Sequence, residues 1–380
     1  MLGIRCAAYV AVLYLFVWLA NSLGIPRCFG GEKPPSDLVL LRSFAIPPVA
    51  GDIPQIAHEV GFSKNGQLMA CFCNLLRFPG SGKVYLWDIK TGKRVQVGLS
   101  EWKGVILRPN GPIEFPCYFT AEPYARLCFR TTEGLEVQDD LTTPTKRLIP
   151  LKLLDGAAEI RQQGVYFSTD DKYLAAVRKD DKSVNVWNTR DGERVKRFAL
   201  PETNTSAVRS LAFDATNRYL AAGLDTPEYR VGAPGVVIVW DLKTGQEVLH
   251  TKGEYRVFQV AFCANGDLIC GESGRRLDDP GRVTIRKGRE FDDTRTIHTP
   301  AGIWSAAIVP HVGLLTGDTR GQVLLWDIET GKLLAVTREN GFAVVSLAVG
   351  HTGELVASGD WDGRARLWKI VGAHRKRGHH

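Results

Sequence analysis

Val237-Ile238-Val239-Trp240-Asp241-Leu242-Lys243-Thr244-Gly245 is the stretch on which the fold turns. Its apolar, largely β-branched half fits a short strand, and Asp-x-x-Thr-Gly supplies a turn ending in glycine. The phrase recurs as Val84-Tyr85-Leu86-Trp87-Asp88-Ile89-Lys90-Thr91-Gly92 and as Val184-Asn185-Val186-Trp187-Asn188-Thr189-Arg190-Asp191-Gly192. It returns as Val323-Leu324-Leu325-Trp326-Asp327-Ile328-Glu329-Thr330-Gly331, and Arg366-Leu367-Trp368-Lys369 closes the series. A second phrase precedes it: Phe62-Ser63-Lys64-Asn65-Gly66-Gln67-Leu68, Phe167-Ser168-Thr169-Asp170-Asp171-Lys172-Tyr173-Leu174, Phe262-Cys263-Ala264-Asn265-Gly266-Asp267-Leu268. A tight polar turn between apolar runs is a hairpin signal.

The intervals between tryptophans predict two further copies. Trp87 and Trp187 are separated by twice a plausible repeat, and Phe129 stands five residues before Gly134 as Trp87 does before Gly92. Leu107-Arg108-Pro109-Asn110-Gly111 is taken as the matching earlier turn. Between Trp240 and Trp326, Arg286 in Val283-Thr284-Ile285-Arg286 fills the gap. Seven copies result. With 39 Gly and 19 Pro but only 2 Met, the composition also favours many short strands over long helices.

These recurrent phrases resemble the WD-repeat family over residues 38 to about 370. The resemblance implies an all-β fold, a seven-bladed β-propeller with one four-stranded sheet per repeat. Few residues follow Trp368, so the last blade lacks an outer strand, and residues 38–44 are expected to supply it by pairing with 364–370. That closure removes a bare sheet edge. Trp87, Phe129, Trp187, Trp240, Trp326 and Trp368 are read as packing between blades, and Asp88, Asp241 and Asp327 as ordering the turns that follow. Ser358, Asp362 and Trp368 match a hydrogen-bonded network of the family. The Gly-His dipeptide that usually precedes each repeat is absent, which implies incomplete networks.

The ends are different in kind. Arg5 precedes an apolar run from Cys6 to Ala20, the pattern of a secretory signal peptide over residues 1–30. An uncleaved anchor over 6–26 is the rival, so export and membrane tethering both stay open. The domain reading is therefore 1–30 signal or anchor, 31–370 propeller, 371–380 basic tail. Two of the seven net positive charges lie in Arg5 and Arg27, and three in Arg375, Lys376 and Arg377. The remaining +2 is too small to argue for a nucleic-acid partner. Cys117 and Cys128 flank a turn at positions that could bridge a hairpin; buried free thiols are the alternative.

Catalytic patterns fail one by one. Gly-x-Ser-x-Gly is absent, Gly80-Ser81-Gly82-Lys83 lacks the phosphate-loop spacing, and Cys71-Phe72-Cys73 is one residue short of a zinc pair. No catalytic residue, metal ligand or cofactor is assigned. The expected function is a non-enzymatic scaffold for a protein or peptide partner, with a channel-centred propeller enzyme and an anionic-polymer binder as alternatives. Counting back four residues from the one before each first turn gives a column of candidate face residues: His58, Lys103, Gln163, Arg209, Phe258, Trp304 and Val345. Lengthened connections assigned between second and third strands (74–80, 120–124, 225–232 and 271–281) add Arg77, Phe78, Tyr229, Arg230, Arg275 and Arg276. Arginine and aromatic residues close together are typical interface anchors.

Overall fold

A computed structural model of the chain describes residues 36–46, 55–75, 78–95, 117–120, 125–130, 135–143, 145–150, 160–178, 183–201, 207–225, 235–252, 255–274, 279–288, 290–337 and 342–372. Among them, every regular element is a strand, and the strands form seven antiparallel sheets of four. The first strands of successive blades are Gln55–Phe62, Cys117–Thr120, Ile160–Phe167, Ala207–Phe213, Arg256–Phe262, Ile303–Val309 and Val344–Val349. Each touches the next, and the seventh touches the first, so they form a closed inner ring.

Closure occurs where the sequence places it. Asp37–Ala45 pairs antiparallel with Arg364–Val371 as the outer strand of blade 7, with Leu40 opposite Trp368 and Phe44 opposite Ala365. The register shifts at Leu41, a bulge that bends the strand around the ring.

Each of the five tryptophans in the third strands is buried against the preceding blade. Trp187 packs with Leu135, Val137 and Ile149 of blade 2, and Trp240 with Val186 and Phe198 of blade 3. Trp326 meets Ile269 and Ile285 of blade 5, and Trp368 meets Leu315 and Leu325 of blade 6. Trp87 packs with Phe44, Ala365 and Leu367 of blade 7, which seals the ring. The aspartates act locally. Asp88 accepts from the Thr91 amide and hydroxyl (2.6 and 2.7 Å), Asp241 from the amides of Lys243 and Thr244, and Asp327 from those of Glu329 and Thr330. Gly92, Gly245 and Gly331 close these turns at φ of 71°, 79° and 71°, where a Cβ would be strained.

Blade 2 corrects the sequence reading. Phe129 lies in its second strand, Arg126–Arg130, and Gln138 of the third strand, Leu135–Gln138, holds the position occupied by tryptophan in five of the other blades. The register shows it: Gln138 pairs with Leu127 as Trp187 pairs with Leu174. Gln138 is buried and turns its amide back onto the Asp140 and Thr143 carbonyls. The connection 121–125 therefore joins the first and second strands, not the second and third as its length implied, and the turn proposed at 107–111 lies outside the described residues. Cys117 is opposite Phe129 and Cys128 opposite Tyr118, so the two cysteines are not cross-strand partners as the hairpin argument required. In blade 5, Arg286 does hold the tryptophan position, opposite Leu268, and the missing ring is replaced by Phe291, buried against Ala221, Val237 and Val239 of blade 4.

Candidate partner-binding face

The face column is produced by one repeated backbone device. In five blades the first strand shifts register by one residue near its start, and the residue skipped is His58, Arg209, Phe258, Trp304 or Val345. A bulge re-aims the extra side chain. The preceding residues Ala57, Val208, Val257, Ile303 and Val344 are all buried, whereas the bulged residues are half-buried or exposed. Serines just after the bulge turn sideways and clasp the next blade. Ser210 Oγ accepts from the Val260 amide at 2.8 Å, Ser346 Oγ from the Val60 amide at 2.9 Å, and Ser305 Oγ donates to the Val344 carbonyl at 3.0 Å. One short segment thus joins two blades and presents a side chain.

Three of the sequence-predicted residues come together. The Arg209 guanidinium lies 5.7 Å from the Phe258 ring centre, and Phe258 stacks on Trp304 at 5.7 Å and 17°. Two residues outside the predicted column extend the series: Arg256 lies 5.0 Å over the Phe258 ring, and Trp361 meets Trp304 edge-on at 4.8 Å and 81°. Trp361 belongs to the connection between the second and third strands of blade 7, Leu355–Asp360 and Arg364–Val371. That contact brings a second-to-third connection onto the face of the first-strand bulges. His58 makes an edge contact with Phe72 at 6.4 Å. Val345 is half-buried on its bulge. Gln163 lies in Ile160–Phe167 and Phe78 opens Phe78–Asp88, while Lys103, Arg77, Tyr229, Arg230, Arg275 and Arg276 lie outside the described residues.

The family network is present in part. Trp368 Nε1 donates to Ser358 Oγ at 2.8 Å, and Trp326 Nε1 to Thr316 Oγ1 at 2.8 Å. Asp362 instead pairs with Arg364 at 3.2 Å, and Arg366 is spent on the neighbouring buried Asp360. Asp318 holds the place of Asp360 in blade 6, but Leu324 stands where blade 7 has Arg366. Its Oδ1 accepts from the Arg320 and Gln322 amides (2.9 and 2.7 Å), and its Oδ2 has no hydrogen-bond partner. Burial pushes the Asp318 pKa up to about 7. The unfolded chain ionises this group near pH 4, so between pH 4 and 7 it releases a proton on unfolding and stability falls as pH rises. Asp318→Asn is expected to remove this decline, on the order of 2–4 kcal/mol across the window. Urea midpoints from pH 4.5 to 8 for both proteins check it; parallel curves would refute it.

Cys71, Cys73, Cys263 and Cys270 are free and buried. The Cys71 and Cys73 sulfurs are 3.4 Å apart, and burial raises the Cys71 thiol far above its usual range, an inert environment. Among the described residues, no group of three or more His, Cys, Asp or Glu side chains stands close enough to share a metal ion, and no helix is long and apolar enough to cross a membrane. Residues 1–30 and the tail from 373 lie outside the described residues.

Seven four-stranded sheets, inter-blade tryptophans and Asp-x-x-Thr-Gly turns define a WD-repeat β-propeller. The family described as "WD domain, G-beta repeat" matches residues 331–369. Periodic tryptophan protein 2 of Arabidopsis thaliana is 27% identical over 222 residues, 56% of this chain and 23% of that protein. Eukaryotic translation initiation factor 3 subunit I of Bombyx mori is 22% identical over 228 residues, covering 58% of this chain and 65% of the relative. Serine-threonine kinase receptor-associated protein of Homo sapiens is 22% identical over 208 residues, 54% of each. The aligned stretch spans less than two thirds of each of these relatives. The crystal structure of Chaetomium thermophilum Raptor superposes with a TM-score of 0.59 at 14% identity, covering 90% of this chain and 29% of that one, a likeness of fold alone. One repeat of that family thus spans residues 331–369, and the seven sheets carry the same fold around the ring.

Proposed function

We propose that this chain is a non-enzymatic interaction scaffold that binds a protein or peptide through the face carrying Arg209, Phe258 and Trp304. The observation that carries the reading is the contact series across blades 4 to 7, in which half-buried rings and a guanidinium meet at bulges that lift them out of the core. Relatives named as a subunit of an initiation factor and as a receptor-associated protein support a protein partner. Affinity capture with the intact chain tests it, using native protein and Arg209→Ala/Phe258→Ala/Trp304→Ala side by side at matched urea midpoints. Partners held by the native chain should be lost from the triple variant; an unchanged set would remove the face assignment.

Export or membrane tethering is part of the same proposal, supported by the apolar run Cys6–Ala20 behind Arg5. N-terminal sequencing of the fractionated native protein decides it. A start after Ser22, Gly24 or Gly30 indicates cleavage, and an intact start in the membrane fraction indicates an anchor. An intact start in the cytosolic fraction would overturn both.

A further inference from the structure

The strand that closes the ring begins where the last strand ends. Asp37 stands opposite Val371, and the Ser36 amide is held by the Leu334 carbonyl of blade 6 at 2.9 Å. At the other end of the same pair, Ala45 stands opposite Arg364, beside the connection that carries Trp361. Arg364 and Val371 are seven residues apart along one strand, about 23 Å. The chain thus enters and leaves blade 7 on the side of the ring opposite the Arg209–Phe258–Trp304 face. The outer edge there is apolar and basic. Among the described residues five large apolar side chains are exposed, and three of them, Val39 (43%), Leu41 (46%) and Val371 (46%), lie on these two paired strands. The other two, Leu148 and Val195, stand singly in blades 2 and 3. Scattered exposed apolar residues are ordinary, whereas a cluster on one edge marks a contact. Exposed Lys369 is opposite Val39, and exposed Lys90 and Lys93 occupy the blade 1 turn that Arg42 of the closing strand binds through the Lys90 carbonyl.

We infer that the outer edge of blade 7 rests on an anionic lipid bilayer, so that the ring stands on its closing seam and holds the Arg209–Phe258–Trp304 face away from the membrane. This rests on the tethered form of the reading above and adds an orientation to it. The sequence on both sides of the edge carries the same two chemistries. The uncharged run 6–26 is long enough to span a bilayer. Only residues 27–36 separate it from Asp37, a reach of at most about 40 Å. On the other strand, Arg375-Lys376-Arg377 starts four residues after Val371. Apolar side chains enter the bilayer interface, while lysines lay their stems along it and keep the ammonium groups among the phosphates. Each Lys or Arg close to an anionic surface strengthens attachment about fivefold, so these three supply on the order of a hundredfold. A tether alone would leave the ring free to turn; an apolar and basic edge at the point of attachment fixes which side meets the lipid.

The test is photocrosslinking of the full chain in vesicles of equal parts phosphatidylcholine and phosphatidylglycerol. Photoreactive benzoylphenylalanine replaces Val39, Val371, Val195 or Trp361, one at a time, each protein checked for an unchanged urea midpoint. Lipid adducts should form at 39 and 371 and be near background at 195, in the outer strand of blade 3, and at 361, on the opposite face. Changing Arg375, Lys376 and Arg377 to serine, or using phosphatidylcholine alone, should lower the adducts at 39 and 371 about fivefold or more. Equal adducts at all four positions would overturn the orientation and leave the tether. A mature start after Ser22, Gly24 or Gly30 with no vesicle binding would remove tether and edge together. A mature start with positions 39 and 371 still joined to lipid would remove the tether and keep the edge. Protein–protein adducts at 39 in place of lipid ones would assign the edge to a second copy of the chain and overturn the inference.

Discussion

Replacing Phe44 with alanine is expected to lower the stability of the ring by about 3–5 kcal/mol, the range for deleting a buried phenyl ring. Phe44 belongs to Asp37–Ala45, the outer strand of blade 7, yet its ring stacks on Trp87 of blade 1 at 4.7 Å and 26°. One side chain thus serves the strand that completes the last blade and the seam that joins it to the first. Phe198, in the outer strand Arg194–Ala199 of blade 3, stacks on Trp240 of blade 4 in the same manner, at 4.8 Å and 13°. The two phenylalanines hold equivalent places, one at the seam that joins chain ends and one at an internal seam. Where repeats touch only their neighbours, stability is close to a sum of unit and interface terms, and closure makes the two end units neighbours. Phe198→Ala removes a similar contact between blades already joined by consecutive chain. Phe44→Ala also loosens the closing strand and leaves a sheet edge able to fray. Urea unfolding followed by tryptophan fluorescence and by far-ultraviolet circular dichroism separates these cases. Both variants should shift the midpoint, but only Phe44→Ala should lower the m-value and split the two probes. Coincident transitions with an unchanged m-value in Phe44→Ala would show that the closing seam is no different from the others.

The repeats that were legible in the sequence are those whose local chemistry and inter-blade packing coincide. Around Trp87, Trp240 and Trp326 the aspartate binds turn amides, the glycine takes a positive φ and the indole reaches the previous blade, so three demands fall on one phrase. The closing strand was legible for a related reason, since a last repeat without an outer strand leaves a sheet edge that must be covered. Blade 2 was misread because Gln138 replaces the indole and turns its amide onto local carbonyls, leaving no aromatic signal, while Phe129 happens to stand five residues before a glycine. Phe291 was missed because it fills the gap over blade 4 from beyond the third strand, a position that no spacing rule tracks. The face column was found by counting, but its physical origin is the register shift that lifts Arg209, Phe258 and Trp304 away from the alternation of their strands. Trp361 reads locally as part of a tight Asp-Trp-Asp-Gly turn; only the packing of blade 7 beside blade 6 shows that it completes the corner with Trp304.

Arg126→Ala is expected to cost about 3 kcal/mol, towards the lower end for removing one partner of a buried ion pair because the carboxylates it serves are partly hydrated. Arg126 organises the polar part of the seam between blades 2 and 3, where Trp187 also packs on blade 2. It lies in Arg126–Arg130, fully buried, with its guanidinium 4.1 Å over the Phe167 ring of blade 3. It donates to Asp171 of blade 3 at 2.9 Å and lies 3.7 Å from Asp139 of blade 2, which also accepts from Arg147 Nε at 2.7 Å. Alanine would leave Asp139 and Asp171 facing one another across the space vacated by the guanidinium and remove the surface stacked on Phe167. Lysine keeps the charge but neither the flat stack nor the fork, so Arg126→Lys should recover less than half of the loss. Asp171→Asn in a double-mutant cycle with Arg126→Ala should give a coupling of about 1–2 kcal/mol, with Phe167→Leu as a separate control for the stack. An absence of coupling to Asp171 would mean that Arg126 supports this seam through its packing on Phe167 alone.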